Sequence, residues 1–251
     1  ISDMPTGALL NNGVNNSDGS WTLSIADLRG LTVTPPWHDA SDFTLTVQAG
    51  STDGVIGTVF NTTTMHVTVA AEADFVSLTT TNISADEDTV VPLQITPTLI
   101  DADGSEQVTS IVISNVPTEG SLNKGTDNGD GTYTLSLVDL SGLAFTPPAH
   151  FAGDINLGVA VITTESENGD TQQTTGTLQV TLNEVLDGVT LSAPDIAGVE
   201  DTAIPITIDL SLIDDSESIA DTVIISDMPT GALLNNGVNN GDGSWTLSIG
   251  D

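Results

Sequence analysis

The sequence contains no cysteine, and Lys and Arg together number 2 among 251 residues. Without thiols there are no disulfides and no thiolate-bound metals, so neither can staple the fold, and no redox compartment is favoured. The 35 Asp and Glu leave a formal charge of −33. Partners that present dense phosphate need clustered cations, so nucleic acid and anionic lipid are excluded; Arg29 and Lys124 are the whole basic supply. Aromatic residues make up 4% of the chain and hydrophobic residues 38%, so ordinary small cores of Val, Ile and Leu are expected, with few aromatic anchors. No apolar run approaches the ~20 residues of a membrane-spanning helix, and no membrane insertion is expected. Ile1-Ser2-Asp3-Met4 lacks the basic and apolar regions of a signal peptide, and the chain reads as an internal fragment.

What the sequence does have is a repeat. Residues 1–27 recur as 225–251 with two changes, Ser17 becoming Gly241 and Ala26 becoming Gly250, at an offset of 224. Halfway between, Ile113-Ser114-Asn115-Val116-Pro117-Thr118 matches Ile1 onwards and residues 130–136 match 18–24, which sets the period at 112. Residues 30–36 and 142–148 keep that phase, and Glu87-Asp88-Thr89 keeps it with Glu200-Asp201-Thr202 after a one-residue slip. One such period is the size of a small β-sandwich module.

Within a period the pattern is that of strands. Residues 90–95, 132–137 and 176–182 alternate, are rich in β-branched types, and place Val, Leu and Ile on one face. Turn chemistry separates them: Pro117-Thr118-Glu119-Gly120, Asp127-Asn128-Gly129-Asp130-Gly131 and Asn168-Gly169-Asp170 supply residues that tolerate positive φ. Roughly seven short strands per period result and no segment carries a convincing helical period, so the expected fold is all-β, tandem β-sandwich modules of about 112 residues.

Two acidic, strand-flanking segments without turn glycines, Ala71-Glu72-Ala73-Asp74 and Glu184-Val185-Leu186-Asp187, are the expected hinges. They divide the chain into the later strands of one module (1–73), a complete module (74–186) and the early strands of the next (187–251). Half a sandwich exposes unpaired edges and an open core. Neighbouring copies are therefore expected to complement each other head to tail, an open-ended contact. The alternative is a permuted domain whose boundary lies near Ile1 and Ile113.

Carboxylates dominate the polar inventory, and their placement follows the repeat. Asp101-Ala102-Asp103-Gly104-Ser105-Glu106 has its counterpart in Asp214-Asp215-Ser216-Glu217, Glu87-Asp88 in Glu200-Asp201, and Glu72 with Asp74 in Glu184 with Asp187. Ca²⁺ takes roughly six to eight oxygen ligands gathered from short loops. An Asp-x-Asp-Gly loop points alternate carboxylates to one side and turns inward at the glycine, so Ca²⁺ is the expected cation for Asp101, Asp103 and Glu106. Asp, Asn and Gly are also plain turn formers, and residues 127–131 read as a hairpin turn. No helix–loop–helix calcium motif is complete, because no Glu follows Gly104 at the required spacing and no helices flank it.

His38 and His150 share one phase, after Pro35-Pro36 and Pro147-Pro148, whereas His66 is unmatched. The shared phase points to a shared structural role, such as a hydrogen-bonded side chain at a strand start, and away from catalysis or transition-metal binding. There is no Gly-x-Ser-x-Gly elbow, no His-Glu-x-x-His pair and no phosphate-cradling glycine loop, so an enzyme is not expected. Trp21, Tyr133 and Trp245 occupy one repeat position and read as core packing, whereas Trp37 becomes Ala149 in the middle copy and reads as exposed.

In fixed order and in register with the period, Glu87-Asp88-Thr89, residues 101–106, the 117–120 turn, residues 130–135 and 140–148, and Gly153-Asp154 resemble a known family: the cadherin-like or immunoglobulin-like tandem repeats of giant bacterial surface adhesins, including RTX-type and biofilm-associated proteins. The resemblance spans essentially the whole chain. It implies a structural extender at the cell surface. Strings of sandwiches would project a distal ligand-binding region from the outer membrane for attachment and biofilm formation, with neighbouring repeats as partners and Ca²⁺ stiffening the junctions. Carried over by position, the implied ligands are Glu87, Asp101 and Asp103 with the linker Glu72 and Asp74, then Glu200, Asp214 and Asp215 with Glu184 and Asp187. The third copy has lost a residue and the glycine of its acidic loop, which implies weaker binding there or none. The rival reading, a module that recognises a glycan or protein through a sheet face, requires surface aromatics or a long variable loop in every copy, and the repeat positions offer few.

Overall fold

The computed structural model describes residues 1–101 and 104–248, and the chain is all-β. Its middle segment is built on one six-stranded sheet. Glu106–Ser114 pairs antiparallel with Tyr133–Leu135 on one side and with Gly153–Glu165 on the other. Gly153–Glu165 continues into Thr171–Asn183 as a long hairpin, and Ile83–Asp86 joins Thr171–Asn183 in parallel. Opposite lie Val91–Pro92, Ala144–Thr146 and Ser121–Leu122 in one sheet and Val76–Thr80 with Ile95–Leu99 in another. The chain thus forms a β-sandwich whose buried core runs from Val76 to Leu182.

Period-two alternation places the core. Along Gly153–Glu165 the side chains of Ile155, Leu157, Val159 and Val161 are buried on one face, and Thr163 and Glu165 continue that face to the strand end. Phe145, one of the few aromatics, is fully buried opposite. It packs so closely on Gly120 that an added Cβ there would lie 2.9 Å from the ring, so this turn excludes a side chain. The turn at 117–120 closes with Gly120 N–H donating to the Pro117 carbonyl at 2.9 Å. Residues 127–131 link Thr126–Asp127 to Tyr133–Leu135, with Asp127 accepting from Gly129 N–H at 2.8 Å and Asp130 from Thr132 N–H at 3.1 Å.

The structure departs from the expected pattern in two places. Ile25–Leu28 and Leu137–Leu140 form 3-10 turns, one period apart, each opened by a serine whose N–H and Oγ both donate to an aspartate three residues on. Such short turns are too brief to show a helical period in sequence. The strand expected over 90–95 breaks after Pro92, where Leu93 N–H donates to the Leu143 carbonyl, and pairing resumes at Ile95.

Residues before the middle segment pair Leu9–Leu10 with Val33–Thr34, Val14–Asn15 with Trp21–Thr22, and Phe43–Thr52 with Thr58–Val67, around a smaller core of Met4, Ala8, Leu10 and Leu45. Residues after it pair Val189–Ser192 with Asp209–Leu212 and gather Thr222–Ile225, Trp245–Ser248 and Val238–Asn239 into one sheet. Tyr133 and Trp245 are buried and Trp21 is half-buried, whereas Trp37 is 83% exposed.

Candidate metal centres at the two junctions

The segment Ala71-Glu72-Ala73-Asp74, expected to hinge, is bonded at four successive points. The Ala71 carbonyl accepts from Asn168 Nδ2 at 2.6 Å, and Ala73 N–H donates to Asp170 Oδ2 at 3.1 Å. Asp74 N–H donates to Glu106 Oε1, and the Asp74 carbonyl accepts from Thr163 Oγ1 at 2.7 Å. Asn168-Gly169-Asp170 is the tip of the long hairpin, so the sandwich grips its own linker. The same tip holds the acidic loop: Ser105 Oγ donates to Glu165 Oε2 at 3.0 Å, and Ser166 N–H to the Ser105 carbonyl at 2.9 Å.

Acids from three distant parts of the chain therefore converge. Asp101, Glu106 and Glu165 are buried, and Asp74 is half-buried beside them. From the preceding segment, His38 brings Nδ1 to 2.5 Å from Asp74 Oδ2. One donor atom each from His38, Asp74 and Asp101 lie within 4.8 Å of one another. A cleft of about 560 Å³ opens here between Pro36 and His38 on one side and Asp101 and Glu165 on the other.

Glu106 carries the electrostatic strain. Burial pushes its carboxyl above the usual carboxylate range, and the charges of Asp74, Asp101 and Glu165 add to that, opposed by the Asp74 amide. Glu106 is 6% exposed, and its Oε2 is buried without a hydrogen-bond partner among the described residues. Buried anionic oxygens are costly unless a donor or a cation satisfies them.

The histidine–aspartate pair recurs one period on, with Asp88 as the third donor in place of an acidic-loop aspartate. His150 Nδ1 lies 2.7 Å from Asp187 Oδ2 and 3.1 Å from Asp88 Oδ2, and one donor atom from each of the three falls within 4.8 Å of the others. Asp187 N–H donates to Glu217 Oε1 at 2.7 Å, as Asp74 N–H does to Glu106. The hydrogen bond that the ring donates to Asp187 raises the His150 imidazole above its ordinary value, and the charges of Asp88, Asp187 and Asp214 act in the same direction. Asp214 is buried; the Ser216 hydroxyl and amide hold its carboxyl below the usual range, and His150 contributes. Glu87, 2% exposed, accepts from Val185 N–H through Oε1 at 2.7 Å, and its Oε2 is buried without a hydrogen-bond partner among the described residues.

Of the expected ligands, the structure brings Asp74, Asp101 and Glu106 together at the first junction, and places Asp187 and Asp214 at the second. Glu72 lines the first cleft but is exposed, and Glu87 is buried under the second linker. Glu184, Glu200 and Asp215 are exposed and stand outside both histidine–carboxylate groups. Asp103 lies outside the described residues. Five residues not among the expected ligands belong here: His38, His150, Asp88, Glu165 and Glu217. The histidines' common phase was the available signal. Glu217 ends the shortened acidic loop and still reaches its linker amide, because Ser216 N–H closes the turn onto Asp214 Oδ1 at 2.7 Å. Glu165 gave no signal, since it meets Ser105 across 60 residues.

These donor sets fit a divalent cation, with Asp74, Asp101 and Glu106 supplying hard oxygens and Glu106 Oε2 still needing a partner. No family model matches this chain, and no curated protein matches it.

Proposed function

We propose that the chain is a stretch of tandem spacer modules of the cadherin-like or immunoglobulin-like kind found in giant bacterial surface adhesins. In this reading Ca²⁺ bound at the junctions stiffens a rod that projects a distal binding region. The observation that carries it is the doubled donor group: a histidine and a linker aspartate, one repeat apart, meet a third carboxylate at both junctions, Asp101 at the first and Asp88 at the second, and each linker amide is taken by the next segment's glutamate.

The chemistry supports the same reading. At a formal charge of −33, cation-free modules repel one another, and each Ca²⁺ cancels two charges where the repulsion concentrates. The linkers are short, and fixing them removes the remaining freedom between sandwiches. Extracellular calcium modules bind with dissociation constants of about 0.1 to 1 mM. At a hundredfold ligand excess, linkage adds about 2.7 kcal/mol per site. Small-angle scattering and thermal melting of the 251-residue chain, in millimolar calcium and in EDTA, test this. Chelation is expected to shorten the maximum particle dimension and lower the Tm; superimposable scattering curves and melts would end the proposal.

A further inference from the structure

We infer that each junction is a mixed nitrogen–oxygen site for a borderline divalent transition ion of the Zn²⁺ class, with His38 and His150 as imidazole ligands. This deepens the junction-cation reading, because the two kinds of ion would compete for shared carboxylates. Ca²⁺ sites are built from oxygen, whereas imidazole suits Zn²⁺, Ni²⁺ and Cu²⁺. A site intended for Ca²⁺ alone gains nothing from a ring nitrogen among its carboxylates, yet both copies place one there.

Three observations carry the inference. The first is convergence: His38 with Asp74 and Asp101, and His150 with Asp88 and Asp187, each offer three donor atoms within 4.8 Å, the protein-ligand count of an open zinc site. The second is Glu106 Oε2, without a hydrogen-bond partner among the described residues, on a side chain more than nine-tenths buried whose other oxygen is tied to the Asp74 amide; it holds unmet demand for a cation beside the first group. The third is backbone geometry, with φ of 53° at His38 and 54° at His150, a left-handed conformation uncommon outside glycine and repeated in both copies to bring each ring to its linker aspartate. His66 supplies the contrast. It lies 3.6 Å from Asp42, is largely exposed, and belongs to neither group among the described residues.

The test is a titration of the chelator-treated 251-residue chain with ZnCl₂, and in parallel with Co²⁺ as a visible-absorbing substitute. Two ions per chain are expected. His38→Gln should lose one and His150→Gln the other, each site weakening by about tenfold or more, at least the loss typical of disturbing even an outer-shell contact. His66→Gln should retain both. Far-ultraviolet circular dichroism checks that the variants remain folded. Should one not fold, ring-nitrogen NMR of the unaltered chain replaces it, with His38 and His150 shifting on Zn²⁺ addition and His66 unmoved. Unchanged zinc binding in the His38→Gln/His150→Gln double variant, ring signals that do not move, or no zinc uptake at all would each overturn the inference. A CaCl₂ titration separates the two readings. A chain that answers to calcium and ignores zinc keeps the spacer proposal and loses this one, and the reverse result removes calcium and keeps the histidine site.

Discussion

Residues 74–135 and 187–248 repeat one sequence pattern in the same phase, yet the first stretch is largely buried and the second largely exposed, and the counterparts of Ile83–Asp86, Val91–Pro92 and Ser121–Leu122 form no strand in the second. Val91 is 0% exposed and its repeat counterpart Ile204 is 41% exposed; Leu93 is 5% exposed and Ile206 48%. The difference is the long hairpin. In the middle segment Leu157, Val161, Leu178 and Val180 from Gly153–Glu165 and Thr171–Asn183 cover the core. The third segment keeps counterparts of Val76–Thr80, Ile95–Leu99, Glu106–Ser114, Thr126–Asp127 and Tyr133–Leu135 without such a hairpin. The first has a hairpin, Phe43–Thr52 with Thr58–Val67, that lacks those strands, and it leaves Val59, Phe60 and Met65 exposed. Alternation thus fixes which face of a strand is apolar, and a hairpin from later in the repeat decides whether that face is dry.

The strongest way to break this comparison is to supply the hairpin. Because residues 1–27 and 225–251 are nearly identical, residues 28–73 are a natural continuation of Asp251. A fusion of 187–251 to 28–73 is expected to unfold cooperatively in urea, with a slope of about 1–3 kcal/mol/M, while 187–251 alone shows no transition. A cooperative transition in 187–251 alone would show that the hairpin is not what closes the core. In the 251-residue chain the same partnership is open between copies, so sedimentation velocity is expected to show head-to-tail oligomers that grow with concentration.

A matched pair of substitutions sharpens it. Leu93→Ala removes a buried side chain and should cost about 2–5 kcal/mol in chemical denaturation. Ile206→Ala, at the same repeat position but half in solvent, should stay within about 0.5 kcal/mol. Equal losses at both positions would contradict the burial difference.

Much of the fold was legible because its signals are local. The 112-residue period, the alternating strands and the Asx turn at Asp127 each lie within a few neighbouring residues or in plain self-similarity. The candidate metal centres were only half legible, since acidic spacing showed the loops but not their partners. His38 reaches Asp74 across 36 residues and Ala73 reaches Asp170 across 97, and no periodicity encodes such distances. The linker looked like a hinge because composition reports charge and not bonding. What clamps it is the hairpin tip, placed there by the register of Gly153–Glu165 against Thr171–Asn183.

The junctions extend the comparison. Glu106 is buried among like charges, whereas Glu217 is half-buried in the third segment. A raised carboxyl pKa means that the ionised form is disfavoured by folding, so removing the charge should help the cation-free protein. Glu106→Gln is expected to raise the Tm in EDTA, by about 4–8 °C for each kcal/mol relieved in a module of this size, and to reduce the increase produced by calcium. Glu217→Gln should do both more weakly. A lower Tm for Glu106→Gln in EDTA would mean that the ionised carboxylate stabilises the junction on its own.

The smallest effect is expected where the comparison should vanish. Asp27 and Asp139 each accept from a serine hydroxyl and amide three residues back, contacts made entirely within one 3-10 turn. The hydroxyl bond, then the amide bond, holds both carboxyls below the ordinary value of 3.8. A carboxyl depressed in the folded state stabilises it above the unfolded pKa, and that contribution is lost as pH falls below about 4 through the lower folded value. Asp27→Asn and Asp139→Asn should therefore each lower stability slightly at neutral pH, and each deficit should fade under acid. Because the cap does not depend on the long hairpin, melts of the two variants should show losses of similar size. A loss confined to Asp139→Asn would mean that even this local turn depends on the completed core.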